Sequence, residues 1–363
     1  MSPTEACVAL NMVPNLGPVK LRRLLEVFET PERVLLARAA ELRTVDGVGQ
    51  ELANAIASWE DRVDLPAELQ RMRDFGAEVI TQASDLYPRH LREIHNPPIL
   101  LYVWGKLTER DQRAIGVVGS RKTSHYGLEC AKKLSYQLAY AGLTVVSGLA
   151  RGIDTAAHQG ALAAKGRTVA VIGSGLMDLY PPENLGLAEK IASSGAVVSE
   201  YPMTFPPSTQ TFPYRNRIVA GWGDGTLVVE AGLNSGALIT ANQALENGRL
   251  VYAVPGPIDR PTSAGSNRLI QQGAKLVTGA GDILDDLNML FPQHPKPERP
   301  AASIETNPDE TAILNAIGDG EAAMDMIVSL SGLPISKVSP TLLSLEMKRL
   351  VKQLPGQRFV RLN

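Results

Sequence analysis

Cysteine is scarce in this chain of 363 residues, which has only Cys7 and Cys130. The two are far apart, and neither lies in a C-x-x-C pair, so a disulfide framework or a cysteine zinc site is not expected. The five histidines show no metal-ligand spacing. The sequence therefore predicts no metal site and no cofactor, and a reducing cytoplasm suits it.

An excess of charge of one sign is also missing. The 36 basic residues face 38 acidic ones, so the formal net charge is -2. A protein that coats nucleic acid through its overall field needs a large positive charge, which excludes that class here. Any site for a polyanion must be a local patch.

Long hydrophobic runs are absent as well, since no stretch of 18 consecutive apolar residues occurs. The first 25 residues also carry charged side chains, among them Glu5 and Lys20. Membrane insertion and export are therefore not expected. The predicted location is cytoplasmic.

The middle of the chain alternates short β-rich runs with segments of helical length. Seven such runs follow one another between residues 113 and 290: IGVVG, LTVVSG, TVAVIGSG, AVVSEYP, TLVVEAG, LVYAVPG and AKLVTG. This alternation predicts an α/β fold with a Rossmann-like, doubly wound, mostly parallel sheet. Two further strands are expected over 76–105, so the predicted domain covers 76–290. Right-handed crossovers place every strand-to-helix connection at one edge of such a sheet.

The flanking segments have different patterns. Residues 1–75 are predicted to form a helical domain, with two stretches in which a glycine turn precedes an amphipathic helix. The second stretch has the h-x-G-h-G form of a helix-hairpin-helix over 45–49. Its N–H groups can meet a DNA phosphate, or the glycines simply allow a close turn between helices.

The end of the chain predicts a linker and a third domain. Residues 291–308 are rich in proline and read as a linker. Residues 309–363 read as helix, turn, helix and a two-strand ribbon around Pro355 and Gly356, which is the layout of a winged helix. Its basic residues can touch duplex DNA, or the domain can dock a partner, and both readings stay open. They are Lys337, Lys348, Arg349, Lys352, Arg358 and Arg361.

The stretch GVVGSRKTSHYG at 116–127 passes from a strand through a glycine turn into a helix. Such a junction presents backbone N–H groups at the positive end of a helix dipole, which favours an anion. The spacing fits neither G-x-G-x-x-G nor a Walker A loop. The sequence therefore predicts an anionic ligand without selecting a dinucleotide or ATP.

The segments that follow the other predicted strands share this composition. They are rich in glycine, hydroxyl groups and arginine, all of which suit contact with phosphate. The predicted binding residues are Gly119, Ser120, Arg121, Lys122, Ser147, Gly148, Arg151, Phe212, Arg215, Asn216, Arg217, Ser235 and Gly236. Aromatic residues lie beside the basic ones, a mixture that suits single-stranded nucleic acid but also a mononucleotide.

Catalysis would need a nucleophile with a base, or paired carboxylates. Glu200 and Glu230 end predicted strands and are the best acid-base candidates, with structural carboxylates that accept loop N–H groups as the alternative. Asp154 and His158 lie four residues apart at a helix start and are better explained by capping and a surface pair. No catalytic residue is predicted.

The connecting segments resemble those of the DprA (Smf) DNA-processing family. The resemblance spans about 110–285 and includes GSRKTSHYG, SGLARGIDTAAHQGAL, VAVIGSGLMDLYPPEN, FPYRNRIVAG and VVEAGLNSGALITANQAL. It implies a dimer whose Rossmann-like domain binds single-stranded DNA, protects incoming DNA in natural transformation and loads RecA recombinase.

The resemblance also implies roles for individual residues. Arg121 matches an arginine that grips phosphate beside a Gly-Ser backbone cradle, and Phe212 matches an aromatic that lies against the strand. Arg215 to Arg217 match the Arg-Asn-Arg motif. Thr209 departs from the family pattern, which has lysine there, so that phosphate contact would be weaker or would be taken over by Arg215 or Arg217.

A second resemblance is faint. GDGTLVVEAG at 223–232 resembles the P-G-G-x-G-T-x-x-E loop of nucleoside-monophosphate phosphoribohydrolases. The proline and the second glycine are missing, and Glu230 follows Thr226 by four residues instead of three. An enzyme of this class is the alternative function.

Overall fold

The structure is a computed structural model that describes residues 1–290, 307–318, 321–348, 350–354 and 358–361. It divides into two compact units, Met1–Pro292 and Gln293–Asn363. Most of the predicted proline-rich linker, residues 291–306, lies outside the described residues.

Six helices open the first unit. They are α1 (Pro3–Met12), α2 (Pro18–Phe28), α3 (Pro31–Leu36), α4 (Ala39–Leu42), α5 (Gln50–Ala57) and α6 (Leu65–Phe75). Gly17 and Gly49 are the N-cap residues of α2 and α5, which confirms the two predicted stretches of glycine turn followed by helix. The side chain of Arg23 on α2 contacts Asp46 in the second turn at 2.7 Å, so the two stretches are joined.

A sheet of nine strands follows, with helices between its strands. The strands are β1 (Ala77–Thr81), β2 (Leu100–Gly105), β3 (Ala114–Val118), β4 (Thr144–Ser147), β5 (Thr168–Val171), β6 (Ala196–Ser199), β7 (Gly225–Val228), β8 (Leu250–Ala253) and β9 (Lys275–Leu276). The helices are α7 (Arg89–Glu93), α8 (His125–Tyr140), α9 (Ile153–Ala163), α10 (Leu185–Ser194), α11 (Thr211–Trp222), α12 (Gly236–Glu246), α13 (Ala264–Gln271) and α14 (Gly281–Leu290). The seven predicted strands and the two before them are confirmed.

The strand order is β1-β2-β6-β5-β4-β3-β7-β8-β9. Strands β3 to β9 pair in parallel, and β1 and β2 join this sheet antiparallel. From β3 the chain moves outward to β6 and then returns to the other side of β3 as β7. The order of strands reverses there, and the carboxyl ends beside such a point form the crevice in which doubly wound folds bind ligands. The predicted Rossmann-like fold is confirmed.

The N-terminal helices share a hydrophobic cluster with this sheet. Leu10 and Leu24 belong to the same buried cluster as Tyr102 on β2 and Ala170 on β5. Residues on both sides of position 75 therefore form one compact unit. The domain boundary at residue 75 stays a prediction.

In its described residues, the second unit contains three helices and a small antiparallel sheet. Its elements are α15 (Pro308–Ile317), β10 (Glu321–Ala323), α16 (Met324–Ser331), α17 (Ile335–Met347), β11 (Val351–Leu354) and β12 (Arg358–Arg361). Two helices and a turn followed by a two-strand ribbon confirm the predicted winged helix, and β10 adds an unpredicted third strand beside β12. Arg349, Pro355 and Gly356 lie outside the described residues.

Two of the predicted basic residues of this unit face carboxylates within it. Lys348 donates a hydrogen bond of 2.7 Å to Glu310, and Lys337 lies 3.8 Å from Asp309. No single helix of the described ranges has the length and apolar character needed to cross a membrane. Taken together, α16 and α17 are long and apolar enough, but the two helices are bent by 109° relative to each other. They meet the requirement by length and composition alone.

Candidate functional site

The turn after β3 is held by hydrogen bonds within the protein. The backbone N–H of Ser120 donates to the carbonyl of Glu230 at 2.7 Å, and its hydroxyl donates to the carbonyl of Lys122 at 2.8 Å. Ser124 ends the turn and caps α8 by accepting from the N–H of Gly127. Because Ser120 uses its N–H internally, this group is not available as the phosphate cradle that the family resemblance implies. Arg121 is exposed at the tip of the turn.

Arg215 lies under the neighbouring turns. It is 3% exposed, and its Nη1 donates to the carbonyls of Gly148, at 2.6 Å, and Val171. A Cβ atom at position 148 would lie 2.6 Å from the guanidinium, so a larger residue there would have to displace this buried group. Burial lowers the pKa of Arg215 to about 10, against the opposite effect of Asp154. The side chain therefore stays positively charged at neutral pH while it ties the ends of β4 and β5 together.

These turns converge on one depression at the carboxyl edge of the sheet. It is a shallow depression that is open to solvent. Five of the predicted residues line it together, which are Arg121, Gly148, Arg151, Phe212 and Arg215. We call this depression the arginine pocket. Ala150, Gly173, Tyr180 and Pro181 complete its wall.

Two aromatic rings and two arginines interleave in the arginine pocket. The Arg121 guanidinium carbon lies 5.3 Å from the centre of the Phe212 ring, and that of Arg151 lies 5.6 Å from the centre of the Tyr180 ring. The two ring centres are 5.5 Å apart. Such distances are those of cation–π and ring–ring contacts. The pocket thus presents fixed positive charge beside flat apolar surfaces, which is what a phosphate and a base require.

The sequence analysis did not single out Tyr180, which lines the arginine pocket. It lies in the segment DLYPPEN, which follows the Gly-Ser-Gly turn after β5. The one sequence signal for Tyr180 is its place before two prolines and after a glycine-rich turn. The sequence gives no sign that this segment lies beside Phe212 on α11.

Other predicted residues lie outside the arginine pocket. The Ser147 hydroxyl is buried and donates to the carbonyl of Val117 at 2.6 Å. Arg217 is also buried and donates two hydrogen bonds, of 2.7 and 2.6 Å, to Glu200, with its guanidinium over the Tyr214 ring. Ser235 is the N-cap of α12, which starts at Gly236. The remaining ones lie near the pocket: Gly119 and Lys122 in the turn after β3, and Asn216, whose oxygen accepts from Nε of Arg215.

The sequence analysis grouped the segments FPYRNR and NSGALIT with the connections that follow strands. In the structure both segments are largely helical. Residues 212–217 form the first turns of α11, and α12 occupies the second segment from Gly236 onward. Pro213 is accommodated because the first turn of a helix has no intrahelical acceptor for its N–H. Thr209, which stands in place of the family lysine, is exposed just before α11.

The carboxylates considered for catalysis have structural partners. Glu230 accepts hydrogen bonds from the hydroxyl of Thr123 and from the N–H and hydroxyl of Ser124. Burial acts to raise its pKa, but these hydrogen bonds outweigh burial and lower it. Glu200 is held by Arg217. Glu230 therefore matches the structural alternative of a carboxylate that accepts a loop N–H group, whereas Glu200 satisfies the buried guanidinium of Arg217.

Asp154 and His158 do not form the expected surface pair, because α9 packs this face into the core. Asp154 accepts from the N–H groups of Gly148 and Ala150 at 3.1 and 3.3 Å, and burial raises its pKa to about 6. The His158 ring contacts the hydroxyl of Thr168 at 2.7 Å, and burial lowers its pKa to about 3. Over the described part of the chain, no cluster of three or more His, Cys, Asp or Glu side chains could hold a metal ion.

Comparison with known proteins gives a consistent set of similarities. A family model described as DNA recombination-mediator protein A matches residues 78–288, and one described as DprA winged helix domain matches residues 297–357. The protein Smf of Synechocystis sp. is 34% identical over 391 residues, which covers 98% of each chain.

Two solved structures are also similar. The X-ray structure of DNA processing protein A from Streptococcus pneumoniae is 36% identical, with a TM-score of 0.71, and the match covers 79% of this chain and 99% of that one. The structure of DNA processing protein A from Helicobacter pylori, described for its single-stranded DNA binding mode, is 26% identical. Its TM-score is 0.54, and the match covers 61% of this chain and 98% of that one.

Proposed function

Because this chain belongs to the DNA recombination-mediator protein A (DprA/Smf) family, we propose that it binds single-stranded DNA in the arginine pocket. The observation that carries this proposal is the exposed guanidinium of Arg121 beside the Phe212 ring. Arginine meets backbone phosphate, and an exposed base of an unpaired strand stacks on an aromatic ring. A duplex hides its bases from such a ring.

The proposed process is natural transformation and recombination. The protein protects incoming single-stranded DNA in the cytoplasm and loads RecA recombinase onto it, as a homodimer formed through the Rossmann-like domain. A dimer joins two arginine pockets, and a strand held by both gains effective concentration. This role needs neither a catalytic residue nor a cofactor.

Binding is tested by fluorescence anisotropy with labelled oligo-dT and with duplex DNA of the same length. We expect clearly tighter binding of oligo-dT, because the rings of the pocket are useful only for unpaired bases. Equal affinity for the two DNA forms would remove the single-strand proposal.

RecA loading is tested by strand exchange with cognate RecA on single-stranded DNA coated with single-strand-binding protein. We expect this chain to stimulate the reaction, since a loader relieves the block caused by the coat. Absence of stimulation, with DNA binding intact, would refute loading but not binding.

A further inference from the structure

A carboxylate stands beside one arginine of the pocket. Glu183 accepts a hydrogen bond from Nε of Arg151, and both side chains are 50% exposed. Nη1 of the same guanidinium also donates to the hydroxyl of Tyr180 at 3.3 Å. Arg151 therefore faces the arginine pocket with an anion already bound to one side of its guanidinium.

Hydrogen bonds of the neighbouring residue Asn184 bring the turn of Glu183 close to Arg151, in addition to the attraction between the two charges. Glu183 lies in a short 3-10 turn, Pro182–Asn184. The buried amide of Asn184 donates to the carbonyl of Leu149 at 2.8 Å and to the hydroxyl of Thr155 at 2.9 Å. These bonds join the turn to the segment that contains Arg151. The backbone at Glu183 is thus held opposite Arg151, while both side chains remain half exposed.

A second acidic side chain of this region, that of Asp154, has a different role. Asp154 is 7% exposed and accepts two backbone N–H groups, so it stabilises the turn at 148–150. The Glu183 carboxylate instead lies at the rim and contacts a cation of the pocket. A carboxylate and a phosphate diester both present two oxygens and one negative charge to a guanidinium. The two anions compete for one group.

We propose that Glu183 is an internal competitor for the phosphate of bound DNA. In the free protein it occupies Arg151, and a phosphate of the strand must displace it for Arg151 to contribute to binding. This inference rests on the proposed function. Its consequence is weaker retention of the strand, which suits a protein that must later release DNA to a recombinase.

The size of the effect follows from the exposure of the pair. Exposed ion pairs contribute little to stability, so replacing Glu183 is expected to tighten binding only about two- to fivefold. A second readout is sharper. Each phosphate contact on single-stranded DNA adds about 0.7 to the slope of log affinity against log salt concentration. Release of Arg151 should therefore make the slope steeper by about that amount.

The experiment compares full-length wild type, Glu183→Gln, Glu129→Gln and Arg121→Glu in anisotropy titrations with oligo-dT at several salt concentrations. Glu129 on α8 pairs with Lys132 at 3.6 Å and is 58% exposed, so Glu129→Gln matches the change in net charge outside the pocket. A fourth variant, Arg151→Gln combined with Glu183→Gln, removes the cation that the first substitution releases.

We expect the single variant Glu183→Gln to bind oligo-dT more tightly than wild type, with a steeper salt slope. We expect the added Arg151→Gln substitution to abolish this gain. Unchanged or weaker binding in Glu183→Gln would overturn the inference, while a loss of binding in Arg121→Glu would show that the proposed function still holds. An equal gain in Glu129→Gln would also overturn it, since net charge would then explain the effect. Absence of oligo-dT binding by wild type would refute the proposed function and the inference with it.

Discussion

Three arginines near the carboxyl edge of the sheet differ in what they can do. Arg121 is exposed and lies beside a ring, Arg215 is buried and ties two strand ends together, and Arg217 is committed to Glu200. Only the first is free to meet a ligand without breaking a buried contact. Arg215 contributes its charge to the pocket from below, while Arg217 supports the fold.

Buried His158 gives the first unit a sensitivity to acid. Its pKa is lowered to about 3, whereas the same ring in the unfolded chain has a pKa of about 6.5. Between these two pH values the unfolded chain binds a proton and the folded protein does not. The contribution of neutral His158 to stability is therefore complete above the unfolded pKa and is lost as the pH falls below it. Each unit of pKa difference corresponds to about 1.4 kcal/mol.

We expect His158→Gln to flatten this dependence. Between pH 7 and pH 5, wild type should lose about 2 kcal/mol of unfolding free energy relative to the variant, as measured by urea unfolding at both values. Asp154→Asn is the control of opposite sign, since the pKa of Asp154 is raised to about 6 and its contribution is lost as the pH rises through that value. Parallel pH curves for wild type and His158→Gln would contradict the account.

Much of the fold could be predicted at the level of elements. Runs such as TVAV and GTLV are short and rich in β-branched residues, glycines lie close to them in the sequence, and they form the fully buried strands β5 and β7. A buried parallel strand leaves this signature because both of its faces are covered. The alternation of strands with helical segments predicts a parallel sheet whose strand-to-helix connections share one edge. The turn that contains Arg121 is one of these connections, so its place at the crevice could be predicted.

The helical start of α11 could not be predicted in the same way. The residues FPYRNR look like a polar loop because they contain proline and no apolar periodicity. Once they are helical, Arg215 and Arg217 point to nearly opposite sides, since two residues on a helix span about 200°. One side faces the turn at Gly148 and the other faces Glu200. The motif alone does not reveal which arginine faces the ligand.

The contacts of Tyr180 and Glu183 depend on tertiary structure. Glu183 lies 32 residues from Arg151 along the chain, and Phe212 lies on a different element from Tyr180. Local patterns report on neighbours within one or two turns and carry no information on such pairs. Five of the residues that line the arginine pocket could therefore be predicted, whereas Tyr180 and the carboxylate of Glu183 could not.

At the level of the whole molecule, a net charge of -2 is compatible with the proposed polyanionic ligand because cations are concentrated at one edge of the sheet. Three arginines line the pocket together with two rings. Binding that depends on few phosphate contacts has a modest salt dependence and permits release. A strongly basic protein would bind single-stranded and duplex DNA with little distinction.

The central claim, that this pocket grips an unpaired strand through Arg121, is tested most directly by titrating oligo-dT with wild type, Arg121→Glu and Arg89→Glu. Arg89 is exposed at the start of α7, and its N–H donates to Gln112 before β3, at the other end of that strand. We predict that Arg121→Glu loses nearly all affinity for oligo-dT with unchanged thermal unfolding, while Arg89→Glu binds as wild type does. Wild-type affinity in a folded Arg121→Glu variant would contradict the account.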